Sequence, residues 1–248
     1  MSIRIENARV FGWEAAIRGA RNPRNSWAES DSRFYDFADG GIHHYHTLLG
    51  EHAELSALAA ETRDGTRDLI GPKDYRLLMN QSKGGSEESK WRRMIHVQMD
   101  MTAPLYWWKE FDTYKVGTVS NSCSTMQMIH AKAFTADDFS CEHLLGEADG
   151  RIEAAGEKRT PAEVLRITID MLNAAREAFL ETQDKQYWWQ LIQLLPSSYN
   201  QRRTIDLNYE VLRGQYRERK DHKLDEWRTY CAFVRDLPYS EFITLNRP

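Results

Sequence analysis

A chain of 248 residues is long enough for one domain with a well-buried core, and a single domain over 1–248 with an inserted polar segment near 28–66 is expected. A formal charge of −4 excludes a global pull toward nucleic acid, and no apolar run approaches the roughly 20 residues of a membrane span. The N-terminal stretch lacks a signal-peptide apolar core, and three cysteines (Cys123, Cys141, Cys231) without a CxxC fit a reducing, cytoplasmic setting.

In chain order, residues 3–11 predict a strand, followed by the helix-prone WEAAIRGAR and the polar turn chemistry of NPRNSWAESDS. Apolar positions at helical spacing predict a helix within 42–61. His43, His44, His46 and His52 crowd this stretch, but none has the helical spacing and following base of a metal site, so no metal is expected. A second helix is predicted over 72–82, with Pro72 in its first turn and Gly84-Gly85 as its stop.

Then the period changes. Ile95, Val97, Met99 and Met101 alternate with His96, Gln98 and Asp100, the two-residue repeat of a half-buried strand. Pro104 opens a helix over LYWWKEFDTY, whose Trp107-Trp108 pair reads as a core or interface anchor, as does Trp188-Trp189. VGTVSNSCST reads as a hydroxyl-rich turn suited to close backbone approach to a ligand, and 135–160 as a polar surface excursion. Residues 161–186 predict the clearest helix: Thr160 as N-cap, Pro161 first and Glu163 third make a capping box. Its apolar stripe is Val164, Leu165, Ile167, Met171, Leu172, Ala175 and Phe179, and YWWQLIQLL continues helically to Pro196. Helices near 204–217 and 222–236 close the domain. No phosphate loop, nucleophile elbow or dinucleotide turn is present.

Two distant segments carry the chemistry: His96–Met126, and Leu195–Trp227 with Asn208 and Arg219 on it. Their order and spacing resemble the flavin-dependent thymidylate synthase family. Leu195-Pro196 is followed twelve positions on by Asn208 and eleven further by Arg219, as in that family, with Glu226 near its acidic position. The family's signature of Arg-His-Arg followed by Ser, Asn-Glu, Ser and Arg-Tyr falls on Thr113-Tyr114-Lys115, Thr118, Ser120-Asn121, Cys123 and Thr125-Met126, where only Lys115 and Thr118 keep their chemistry. Gly85-Ser86-Glu87 stands on its Gly-His-Glu, and its two phosphate-holding arginines fall on Ile192 and Thr125.

The resemblance implies an α/β (α+β) fold, a mixed and largely antiparallel sheet flanked by helices as in thymidylate-synthase-complementing proteins. It implies a homotetramer with shared active sites, binding neither nucleic acid nor membrane. It also implies bound FAD, reduced by NADPH, with methylenetetrahydrofolate as one-carbon donor and dUMP as the nucleotide substrate. Carried over by position, Ser86, Glu87, Lys115, Thr118, Asn208 and Lys223 are the expected cofactor contacts. Asn121, Cys123, Ser124, Arg202, Arg203 and Arg219 are the expected substrate contacts, with Arg219 the catalytic one on the pyrimidine. A phosphate dianion wants bidentate arginine or several donors, a role open here to Arg202, Arg203 or Lys115. A relative of the fold acting on another nucleotide, or a non-catalytic oligomeric binding protein, are the alternatives.

Overall fold

The computed structural model describes residues 3–36, 44–53, 68–154 and 156–245. Its elements, in order, are β1 (Arg4–Phe11), α1 (Trp13–Arg21), β2 (Phe34–Asp36), β3 (His44–His46), β4 (His52–Ala53), α2 (Pro72–Lys83), β5 (His96–Pro104), α3 (Leu105–Phe111) and β6 (Thr118–Ser122). There follow β7 (Ile152–Ala154), β8 (Glu157–Arg159), α4 (Pro161–Thr182), α5 (Lys185–Leu194), β9 (Asn200–Asn208), α6 (Tyr209–Arg219), α7 (Asp225–Asp236) and α8 (Glu241–Thr244). Helices combine with antiparallel sheet, the expected class. One sheet has strand order β1-β5-β9-β6; β2-β3-β4 and β7-β8 form two smaller ones.

Two compact units divide the chain, and the division passes through the strands of the larger sheet. The first holds Met1–Ile5, Met101–Thr113 and Asn121–Thr204; the second holds Glu6–Asp100, Tyr114–Ser120 and Ile205–Pro248.

In the second unit, α1 buries Trp13, Ala16, Ile17 and Ala20, a single helical face. The Trp13 indole meets Tyr209 edge-on at 5.4 Å and Tyr239 at 5.0 Å between ring centres. Val97 and Met99 of β5 and Ile205 and Leu207 of β9 point into this core, while Gln98 and Asp206 do not. Both strands therefore carry one apolar and one polar face. Beneath α1 lies a buried polar knot: the Asp74 carboxylate at the start of α2 accepts from Arg21 Nε at 2.6 Å and from the Ser30 and Ser32 hydroxyls, each at 2.6 Å.

In the first unit, Trp107 and Trp108 of α3 are wholly buried, the anchor role expected of that doublet. Ile129, Phe134, Phe139, Ile169, Leu172, Ala175 and Leu191 form a further core beneath α4 and α5. The capping box forms as the sequence predicts: Glu163 N donates to the Thr160 hydroxyl at 3.1 Å, and Thr160 N to the Glu163 carboxylate at 2.7 Å.

Five expectations are corrected. The helix within 42–61 gives way, over residues 44–53, to β3, a turn and β4; Gly50 adopts φ 85° there, and the Thr47 hydroxyl accepts from Leu49 N and Glu51 N. The remainder of that helix, most of the inserted segment and His43 lie outside the described residues. Residues 118–122 form an edge strand rather than a turn, and the helix placed at 204–217 begins only at Tyr209, because Gln201, Ile205 and Leu207 are buried at strand period. The long C-terminal helix of the first unit breaks at Gln183 (φ 56°), after which Asp184 caps α5. Finally, the stripe of α4 is only half core: Leu172 and Ala175 are buried, whereas Val164, Ile167 and Met171 are 50%, 40% and 54% exposed.

Candidate functional site

In the second unit the chemistry gathers along α6. Asn208 ends β9 and caps α6, its Oδ1 accepting from Glu210 N and Val211 N, both at 3.1 Å. The side chain is buried, so its amide nitrogen is fixed by the cap. Gly117 presses against this end with φ 79°; a Cβ there would stand 3.0 Å from Asn208 Nδ2 and 3.1 Å from Val211 Cγ2, so glycine permits the approach. Next to it the Thr118 hydroxyl is buried with no hydrogen-bond partner among the described residues. Lys115, two residues before Gly117, is exposed. Asn208 and the segment carrying Gly117 and Thr118 thus meet at a helix N-terminus, where backbone N–H groups and the helix dipole favour negative charge, with Lys115 close by in sequence.

The other end of α6 is aromatic. Arg219 Nε donates to the Tyr114 hydroxyl at 2.8 Å, and that hydroxyl donates to Glu218 at 2.9 Å. The guanidinium lies 5.6 Å from the Tyr114 ring centre and 5.2 Å from that of Trp227. Burial, and the bond to Glu218, push the Tyr114 phenol above its ordinary value against the pull of Arg219, so it stays a neutral donor. Tyr114 stands where the resemblance sets a histidine, and its part in holding Arg219 was not legible from that alignment. Glu226 is buried in the first turn of α7. Lys223 is exposed ahead of it, and Ser86 and Glu87 sit on the exposed stretch after α2, Glu87 paired with Lys90 at 2.5 Å.

The remaining expected substrate contacts fall in the first unit. Arg203 is committed there: it bonds Asp112 at 2.7 Å and Gln201 at 3.0 Å, and its guanidinium stacks 4.3 Å over the Trp108 ring. Ser124 closes a local turn, accepting from Met126 N and Gln127 N. Asn121 is exposed on the edge strand β6. Cys123 and Arg202, by contrast, both line a cavity of about 440 Å³ together with Arg4, Thr102, Lys132, Asp137, Asp138, Tyr199 and Asn200. Three strands of the larger sheet supply it: Arg4 on β1, Thr102 on β5, and Asn200 and Arg202 at alternate positions of β9, with Cys123 just past β6. Sequence reading missed Arg4, Thr102, Lys132 and Asn200; for Arg4, Thr102 and Asn200 the available signal was their place as polar members of period-two strands, whereas Lys132 lies in a bend between strands and carried no such signal.

Lys132 Nζ lies 2.5 Å from Asp138. Burial works to raise the Asp138 carboxyl, but Lys132 and Thr135 outweigh it and hold it below the usual range. Burial, then Asp138 and Cys123, push the Tyr199 phenol up, so it too remains protonated. Among the described residues no cluster of three His, Cys, Asp or Glu is placed to hold a metal, and no helix is long and apolar enough to cross a membrane.

No family model matches the chain, and no curated protein matches it. Solved structures do match in fold. The flavin-dependent thymidylate synthase ThyX from Helicobacter pylori, complexed with FAD and dUMP, aligns with TM-score 0.58 and 14% identity over 98% of this chain and 96% of that one. A second structure of Helicobacter pylori ThyX with FAD and dUMP gives 0.57 and 13% identity over 98% and 95%. The UMP/dUMP methylase PolB from Streptomyces cacaoi, bound with 5-Br dUMP, gives 0.53 and 13% identity over 98% and 95%. Identity this low speaks for the fold alone, and on that footing the chain has the fold of the flavin-dependent thymidylate synthases, in a divergent form.

Proposed function

We propose that this chain is a flavin-dependent enzyme that methylates a pyrimidine nucleotide, taking dUMP to dTMP with methylenetetrahydrofolate as one-carbon donor and NADPH as reductant. The observation that carries the reading is the furnishing of α6: Asn208, Gly117 and the unpartnered Thr118 hydroxyl at one end, Arg219 clamped between two aromatic rings at the other. The shared fold with proteins described as complexed with FAD and dUMP supports it.

The donor set suits a flavin. Asn208 Nδ2 and the Thr118 hydroxyl offer fixed polar contacts, Lys115 a cation, and the helix N-terminus a positive dipole. FAD, when bound, supplies the hydride transfer from NADPH that the methylation requires. Arg219, its Nε held by Tyr114, presents a planar guanidinium fixed in orientation, a geometry suited to pyrimidine oxygens for which lysine would be a poor substitute. Tyr114 and Trp227 position that guanidinium, and Glu226 is the nearby buried acid of α7.

Purified protein loaded with FAD and desalted is expected to keep a flavin absorption spectrum, and dUMP is expected to stimulate oxidation of the reduced form. Arg219→Ala should weaken dUMP binding roughly ten- to hundredfold, the loss of charge-assisted hydrogen bonds, while the flavin spectrum persists. Unchanged nucleotide affinity in that variant would remove Arg219 from the pyrimidine, and failure to hold flavin at all would turn the assignment toward a binding protein.

One feature favours a second reading, a different nucleotide as substrate. Ile192, packed against the apolar core of the first unit, and Thr125 occupy the positions of the family's phosphate arginines. Replacing a charged contact shifts substrate choice strongly. Parallel assays with UMP and dUMP separate the two.

A homotetramer belongs to the proposal. Val164, Ile167 and Met171 lie on one face of α4 and are exposed in the single chain, as are Leu180, Trp189 and Leu194. Ile167→Glu with Met171→Glu is expected to lower the light-scattering mass without loss of helical circular dichroism. A wild-type monomer would overturn the assembly.

A further inference from the structure

We infer that the cavity of the first unit is a sugar-phosphate site: Arg4, Lys132 and Arg202 take the phosphate, and Asn200 and Thr102 take a neighbouring hydroxyl. Neither Arg4, Lys132, Thr102 nor Asn200 is carried over by the family resemblance, and both family phosphate arginines are absent. The inference deepens the nucleotide reading and rests on it for the choice of dUMP as a probe.

Three observations converge. First, the cavity of about 440 Å³ falls within the few-hundred-Å³ range of small-ligand pockets. Second, its lining gathers three cationic side chains, Arg4, Lys132 and Arg202, beside the carboxylates of Asp137 and Asp138. Lys132 is held in place by Asp138, while Arg4 and Arg202 are exposed on β1 and β9, the two strands that flank β5. Two guanidinium groups and an ammonium in one cavity match a tetrahedral dianion better than they match any neutral ligand.

Third, the Thr102 hydroxyl and Asn200 Oδ1 are buried and have no hydrogen-bond partner among the described residues. Such atoms are uncommon in folded proteins, because each forfeits its bonds to water. Here both belong to residues lining the same cavity. Asn200 Nδ2 reaches the Asp137 carbonyl at 3.4 Å, which orients the amide and leaves its oxygen as an acceptor. An acceptor wants a donor, and the dianion of a phosphate monoester has none on its phosphate. A hydroxyl on the carbon skeleton that bears the phosphate supplies one, which favours a phosphorylated sugar; inorganic phosphate, whose dianion keeps a single P–OH, is the competing ligand. Tyr199, kept protonated, adds one further donor to the wall.

Calorimetry on the whole chain, without added flavin, tests this with four probes: inorganic phosphate, ribose 5-phosphate, dUMP and deoxyuridine. Ribose 5-phosphate or dUMP is expected to bind more tightly than inorganic phosphate. Arg202→Gln and Lys132→Gln should each weaken that binding roughly ten- to hundredfold. Neither should alter any affinity for deoxyuridine, which lacks the phosphate. Thr102→Val should weaken ribose 5-phosphate more than inorganic phosphate. Arg166→Gln, removing an equal charge from the exposed face of α4, controls for net charge and should change nothing. If ribose 5-phosphate binds and dUMP does not, the cavity assignment stands and the pyrimidine reading falls. If dUMP binding is lost in Arg219→Ala but unchanged in Arg202→Gln and Lys132→Gln, the nucleotide reading stands and the cavity assignment falls. Absence of binding by every phosphorylated probe also overturns it.

Discussion

Asp74→Ala is expected to cost about 3–5 kcal/mol, a large part of the stability of an ordinary domain, because it strands a buried guanidinium. Arg21 and Asp74 are 3% and 0% exposed at their side chains. The carboxylate also accepts from both hydroxyls, Ser30 and Ser32, and from the Ser32 backbone N–H at 3.2 Å. Alanine removes the acceptor of Arg21 Nε and of both hydroxyls at once, leaving the buried guanidinium its bonds to the Ser26 and Glu29 carbonyls and a longer pairing with the Glu29 carboxylate. The knot ties the end of α1 and the turns after it to the first turn of α2, so its loss is felt by the whole second unit. Asp74→Asn, which keeps one acceptor oxygen, should lose less. Urea midpoints of the two variants, read by circular dichroism, test the ordering. An alanine variant as stable as the wild type would mean that the polar knot adds nothing to folding.

Gly12→Ala is expected to be nearly as severe, at roughly 2–6 kcal/mol from backbone strain and overpacking together. Gly12 precedes α1 with φ 98°, a conformation that L side chains rarely adopt. A Cβ there would stand 2.0 Å from the Met94 carbonyl oxygen, a backbone atom that cannot rotate away. Relief requires α1 to move off the turn at Lys90–Met94, and α1 carries the fully buried Trp13 and Ile17. Gly50→Ala is the control: its φ is 85° but nothing lies within 4 Å of the added carbon. Strain acts alone there, and the loss should be smaller. Equal midpoints for the two variants would show that the contact with Met94 yields.

Where chain-local chemistry decided a structure, the sequence spoke plainly. β5 followed from alternation of Val97, Met99 and Met101 with polar neighbours, and the start of α4 from Thr160, Pro161 and Glu163. Each of those choices is made within a few residues, by side-chain period or by a reciprocal cap. Residues 204–208, the second half of β9, read as the start of a helix from sequence alone; pairing between β5 and β6 is what makes them a strand. The same holds for β6, whose short polar sequence becomes a strand only beside β9.

Of the site, the sequence by itself determined the spacing of Asn208 and Arg219, since both lie on one helix and its caps. It also supplied the small-residue segment containing Gly117, because left-handed backbone selects glycine locally. Only the tertiary structure decided that Tyr114 and Trp227, far apart in the chain, clamp Arg219. It alone decided that Arg203 is spent on Asp112 and Trp108 while its neighbour Arg202 opens onto a cavity. Adjacent strand residues face opposite ways, and which face is dry depends on what packs against it. No local pattern of charges records that choice.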